Sequence, residues 1–208
     1  MSAPLDFLSP ALARDENGFH PVARSAAERL YRAADATFEE RDGWLVAARV
    51  PGEAEHAATV GIADLSHLGK LDLRPAPIAD LEGEGVTTYR LSPRRALVLY
   101  PHRARAAVGE QVAGDALVLD ATAAYTVLAL TGPQARALVA RLTHLHHFPS
   151  GGEVAHVTAH VLPVGAGYRI LVAQELGHYL AEVALDCATA LGGGLVGVDA
   201  LPTEREAP

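Results

Sequence analysis

"YRLSPRRALVLYP" (Tyr89–Pro101) and "HVLPVGAGYRILVA" (His160–Ala173) share one design. Each is an alternating apolar run, a tight polar or glycine-rich turn, and a second apolar run, which is the pattern of a β-hairpin. Reading outward, the same elements surround both. The first copy has strands near Val60–Ala63 and Lys70–Leu73, a short helix in "APIADLE" (76–82), the hairpin, and a helix in "HRARAAVGEQ" (102–111). The second has a strand "YTVLAL" (125–130), a helix from Pro133, a strand "VAHVTAHVLP" (154–163), the turn "VGAG", a strand "YRILVA" and a long helix. Both copies read β-α-β-β-α. Helices laid on antiparallel sheets make the expected fold class α+β.

Local chemistry sets the limits of this core. "SAAE" (Ser25–Glu28) reads as a capping box that opens a helix carrying Ala27, Leu30, Tyr31 and Ala34. "GWLVAARV" (Gly43–Val50) reads as a strand and "PGEAEHA" (51–57) as a turn. Pro133 is tolerated in a first helical turn, and Ala135, Leu138, Val139 and Leu142 follow as one stripe. The last helix, starting near Glu175, is expected to bury Leu176, Tyr179, Leu180, Val183, Cys187 and Leu191, and to stop at Gly192–Gly194. "LVGV" reads as a closing strand. Residues 1–24 then form an extended arm, 25–201 a domain with halves of about 25–112 and 113–201, and 202–208 a polar tail.

The bulk composition excludes several functions. Seventeen basic against twenty-five acidic residues give a formal charge of −8, and no Lys/Arg block is present, which argues against nucleic acid as a partner. No apolar run approaches the ~18 residues that span a bilayer, so no membrane is expected. The N-terminus lacks the charged start and apolar block of a secretory signal. A single cysteine, Cys187, cannot form an internal disulfide and fits a reducing cytoplasm.

No self-sufficient active site emerges. "HLHH" (144–147), with His156 and His160, raises the question of a metal. A pair such as His144/His146 on a strand would be roughly 6.6 Å apart, but His156 and His160 would be about 13 Å apart, and no acidic or thiol ligand is interleaved. We expect no metal site. Ser66 beside His67 is no nucleophile pair on an extended chain, where neighbours face opposite ways, and no G-x-S-x-G elbow is present. "GGG" follows a helix instead of preceding one, so no phosphate loop is formed. Asp64, Asp72, Asp115 and Asp120 read as solvated turn and strand ends. No catalytic residue is assigned.

The segment "VGIADLSHLGKLDL" (60–73) resembles the "G-(L/I)-x-D-(L/V)-S-H-(M/L)-G" motif of the glycine-cleavage T-protein family, the folate-dependent aminomethyltransferases. "YTVLALTGPQARALVARL" is similar to that family's strand-to-helix step, and the likeness runs from about Ser25 to Leu201. Within the superfamily, "VARSAAERLYRA", "LSHLGKLDL", "YRLSPRRALVLYP", "HHFPSGG" and "GHYLAEVALDCA" resemble the gamma subunit of heterotetrameric sarcosine oxidase. This implies two ferredoxin-like halves packed together. It also implies a subunit without its own active site, in a complex that oxidatively demethylates sarcosine or a related N-methyl amine and passes the one-carbon unit to tetrahydrofolate. FAD, FMN and NAD would sit on partner subunits, chief among them a large flavin- and folate-binding one, and the arm 1–24 would touch a partner. Asp64, Ser66, His67, Leu68 and Tyr100 would line a vestigial folate pocket. Two departures support the loss of chemistry. Gly85 and Val86 stand where the family's acidic turn would be, and "VGAGY" lacks the glutamate of the family's folate-contacting loop. Valine offers no lone pair for proton transfer. A stand-alone folate-binding protein and a non-enzymatic interaction module remain as alternatives.

Overall fold

The fold is described from a computed structural model, over residues 18–74, 80–112 and 117–201. Most of the arm, the tail and most of the expected helix 76–82 lie outside these residues. The described elements begin with β1 (Ala23–Arg24), α1 (Glu28–Ala33), β2 (Thr37–Arg41), β3 (Trp44–Arg49), α2 (Glu53–Ala57), β4 (Gly61–Asp64) and β5 (Gly69–Arg74). β6 (Thr87–Ser92), β7 (Arg95–Tyr100), α3 (Arg105–Gln111), β8 (Leu117–Asp120) and β9 (Tyr125–Thr131) follow. The chain continues through α4 (Ala135–Leu142), β10 (Ser150–Val154), β11 (Val157–Val164), β12 (Gly167–Ala173), α5 (Gly177–Thr189) and β13 (Gly194–Leu195).

The fold class is α+β. The two hairpins, β6–β7 and β11–β12, form where their alternation and turns predict. The first belongs to a four-stranded sheet of order β6–β7–β5–β8, the second to a six-stranded sheet of order β10–β11–β12–β9–β4–β13. β4 lies between β9 and β13, so a strand made early completes the sheet of the later hairpin. A third sheet, β1–β3–β2, packs beside them.

Strand periodicity of two gives each sheet two apolar faces, and the layers follow. Val127, Ala129, Leu162 and Leu171 of the larger sheet meet Tyr89, Leu97 and Leu99 of the smaller. On the outer face of the larger sheet, Ile62, Leu128, Leu130, Val161 and Ile170 pack against α1, α4 and α5. On the outer face of the smaller, Leu71, Leu73, Val98 and Tyr100 cover Val108 of α3. The result is helix, sheet, sheet, helix, with β4 buried along its whole length.

Several local expectations need correcting. The capping box does not form: the N-cap of α1 is Ala27, Ser25 Oγ accepts the Ala27 N–H at 3.1 Å in the turn before the helix, and the Glu28 carboxylate pairs with Arg24 and Arg32 at 2.9 and 2.6 Å. "PGEAEHA" contains the short helix α2. "VAHVTAHVLP" is two strands, because Ala155 and His156 take left-handed φ values of 48° and 65° and turn the chain. α5 buries its small side chains, Ala181, Ala184 and Ala188 with Leu180, while Tyr179 is exposed and Cys187 only half-buried. Small residues let the helix approach the sheet closely, which a stripe of large residues does not anticipate.

Candidate functional site

The turn between β4 and β5 places Asp64, Ser66, His67 and Leu68 in succession. Asp64 closes the buried strand. Ser66 donates twice to Asp64 Oδ1, from its amide at 2.9 Å and from its hydroxyl at 2.5 Å. The same hydroxyl oxygen accepts the Val127 N–H at 3.1 Å. Both capacities of the hydroxyl are therefore spent on holding the turn against β9, and Ser66 is a structural residue here. Burial pushes the Asp64 carboxyl up, against the hydrogen bonds of Ser25 and Ser66 and the charge of Lys70, which lower it. Nearby, Tyr31 donates from its hydroxyl to the Ile62 carbonyl at 2.8 Å and fastens α1 to β4.

His67 faces the other way, toward a cavity of about 240 Å³. Trp44, Tyr100, Arg105, Asp120 and Gln174 share its lining. Tyr100 reaches this position because its cross-strand partner is Gly69. A Cβ at residue 69 would overlap the tyrosine ring. Burial first, then the charges of Lys70 and Arg41, bring His67 down to about 4, so it is neutral at pH 7. Its Nδ1 is buried without a hydrogen-bond partner, and so is Gln174 Oε1. Buried polar atoms of this kind need an explanation, and a ligand is one.

The structure separates the five residues expected to form the pocket. His67 and Tyr100 line the cavity. Asp64 and Ser66 lie behind it, bonded to each other, beside a much smaller recess. Leu68 is half-buried, and its carbonyl accepts from Lys70 at 2.8 Å. Sequence reasoning missed Trp44 and Gln174, which are distant along the chain and belong to no motif. It also missed Lys70, whose side chain is completely buried.

Gly85 and Val86 sit beside α3: Val86 packs with the outer apolar cluster of the smaller sheet, and Gly85 lies against Pro101. Asp72 is not a solvated strand end. It is buried and holds Arg74 at 2.6 Å and Arg95 at 3.1 Å. Among the described residues, no group of three or more His, Cys, Asp or Glu side chains is placed to hold a metal ion. No helix there is long and apolar enough to cross a membrane.

No protein-family model matches the chain, and no curated protein matches it by sequence. Solved structures do. The glycine cleavage system aminomethyltransferase T from Bartonella henselae superposes with a TM-score of 0.64 at 19% identity, over 86% of this chain and 60% of that one. A chain of the heterotetrameric sarcosine oxidase from Corynebacterium sp. U-96, in complex with pyrrole 2-carboxylate, superposes with a TM-score of 0.59 at 19% identity, over 84% of this chain and 99% of that one. The chain therefore has a T-protein-like fold, and it spans 60% of the length of the aminomethyltransferase it matches.

Proposed function

We propose that the chain is a gamma-type subunit, without catalysis of its own, of a sarcosine-oxidase-like complex that oxidatively demethylates sarcosine or a related N-methyl amine. The observation that carries this reading is one of extent. The likeness takes in almost the whole of a sarcosine oxidase chain, 99% of its length. In this reading the two sheets derive from two ferredoxin-like halves, near 25–112 and 113–201, and residues 1–24 meet a partner subunit. FAD, FMN and NAD belong to the partners, and the complex works in the cytoplasm.

The cavity offers a pterin ring aromatic surfaces and polar atoms without partners. Trp44 and Tyr100 offer flat walls, and Gln174 Oε1 and His67 Nδ1 await partners. Tetrahydrofolate, when bound, accepts the one-carbon unit. Neither Asp64 nor Val86 lines this cavity: Asp64 is bonded to Ser66 behind it, and Val86 packs with the outer cluster of the smaller sheet. The expected folate pocket of Asp64, Ser66, His67, Leu68 and Tyr100 is read as vestigial, because only His67 and Tyr100 of the five line the cavity.

The test is affinity purification of the tagged chain from its own cells, with mass spectrometry and flavin absorbance of what comes with it. A large flavoprotein in stoichiometric amount is expected. Turnover of sarcosine with tetrahydrofolate by the purified chain alone would overturn the non-catalytic reading. Micromolar binding of a reduced folate would overturn the vestigial one.

A further inference from the structure

The cavity is walled by segments far apart in the chain, the turn 65–69 and the turn 121–124. Lys70 joins them. Its Nζ donates to Ser66 O at 2.8 Å, to Leu68 O at 2.8 Å and to Thr122 O at 2.7 Å. The two residues gripped on the first wall bracket His67, and Thr122 itself lines the cavity. The backbone repeats the link: the Lys70 N–H donates to Thr122 Oγ1 at 3.1 Å, and the Ala121 N–H donates to Lys70 O at 2.9 Å. An ammonium has three protons for three carbonyls; a neutral amine has two, and turns a lone pair toward the third. The Trp44 ring, also on the wall, has its centroid 5.8 Å from Nζ.

We propose that the Lys70 ammonium is an internal latch: a tethered cation that holds the two walls at their spacing, so that loss of its charge slackens the cavity. The latch does not depend on what fills the cavity, or on whether the chain belongs to a sarcosine-oxidase-like complex. Lys70 is a positioning residue, since it is screened from the cavity by the backbone it grips. The groups that face it are Asp64 at the end of β4, Asp120 at the end of β8 and His67. Burial brings the lysine down to about 7, with the two aspartates opposing the fall. The latch is thus set to release near neutrality, while His67 stays uncharged throughout that range.

Trp44 is the only tryptophan in the chain, so its emission reports on this wall alone. In the purified full-length chain, its fluorescence and its quenching by acrylamide are expected to change together, with a midpoint at about pH 7. Lys70→Met, which keeps the length of the side chain without its charge, is expected to lose the transition; His67→Gln is expected to keep it. Should Lys70→Met not fold, the wild-type chain suffices. The carbonyl ¹³C resonances of Ser66, Leu68 and Thr122 are expected to shift together with the titration of Lys70 Nζ. Carbonyls that stay still while Nζ titrates overturn the latch. So does a Trp44 transition that survives in Lys70→Met, and so does the absence of any transition between about pH 5.5 and about 9.5.

Discussion

At the scale of single residues, the cavity rests on close approaches that a methyl group would end. Gly69→Ala drives a Cβ into the Tyr100 ring. Overpacking of this kind costs about 1–3 kcal/mol, so urea unfolding of the variant is expected to lose that much, with part regained in the double variant Gly69→Ala/Tyr100→Leu. The titratable residues give signs as well. His67 falls from its ordinary 6.5 to about 4 on folding, so the unfolded chain binds more protons between those values. Stability is then fully present above about 6.5 and declines as pH drops toward 4. His67→Gln should flatten that decline in a series of urea midpoints; an unchanged slope would remove His67 from the account. Lys70 falls from 10.5 to about 7, so stability should rise between those values as the cost of a buried charge is relieved. A fold growing more stable while Trp44 loosens is the mark of a local change and excludes partial unfolding. Of these residues, Asp64, Ser66 and His67 stood out in the sequence because polar groups crowd one turn. The burial of Lys70 did not, because its charge conceals that it sits at an inward position of a strand.

At the scale of elements, legibility followed periodicity. The hairpins and α4 were readable because their apolar residues recur at two or at three and four. Leu138 of α4 is fully buried in the outer core, and Leu138→Ala is expected to cost about 2–5 kcal/mol by calorimetry or urea unfolding. α2 escaped notice because it buries none of its five residues and follows a Pro-Gly pair. The turn at Ala155 and His156 escaped for the opposite reason: the backbone adopts a conformation that neither residue advertises. On α5 the expected Leu176, Leu180, Val183, Cys187 and Leu191 do pack on the core and only Tyr179 is exposed, but the alanines that let helix and sheet touch escaped notice because they carry little hydrophobic weight.

At the scale of the molecule, the repeat in the sequence suggests two halves, but the hydrogen bonding crosses between them. Gly61 of β4 pairs with Thr131 of β9 on one side and Gly194 of β13 on the other. Residues 113–201 made alone would leave the edge of β9 open and give β13 no strand to join. That fragment is expected to show no cooperative thermal transition by circular dichroism, and to recover one when residues 18–112 are added; a sharp transition of the fragment alone would contradict the pairing. The cavity belongs to the same scale, since its walls are drawn from segments as distant as Trp44 and Gln174. No local motif could have announced it.

The position of β4 has a consequence for synthesis. The four buried residues of β4 leave the ribosome before both of their neighbours, β9 and, after it, β13. Until Gly194 and Leu195 emerge, the nascent polypeptide carries an apolar strand with one edge open, a natural substrate for ribosome-associated chaperones. Its maturation is timed by the arrival of Leu195, and ribosome-bound intermediates truncated before that residue should remain sensitive to protease.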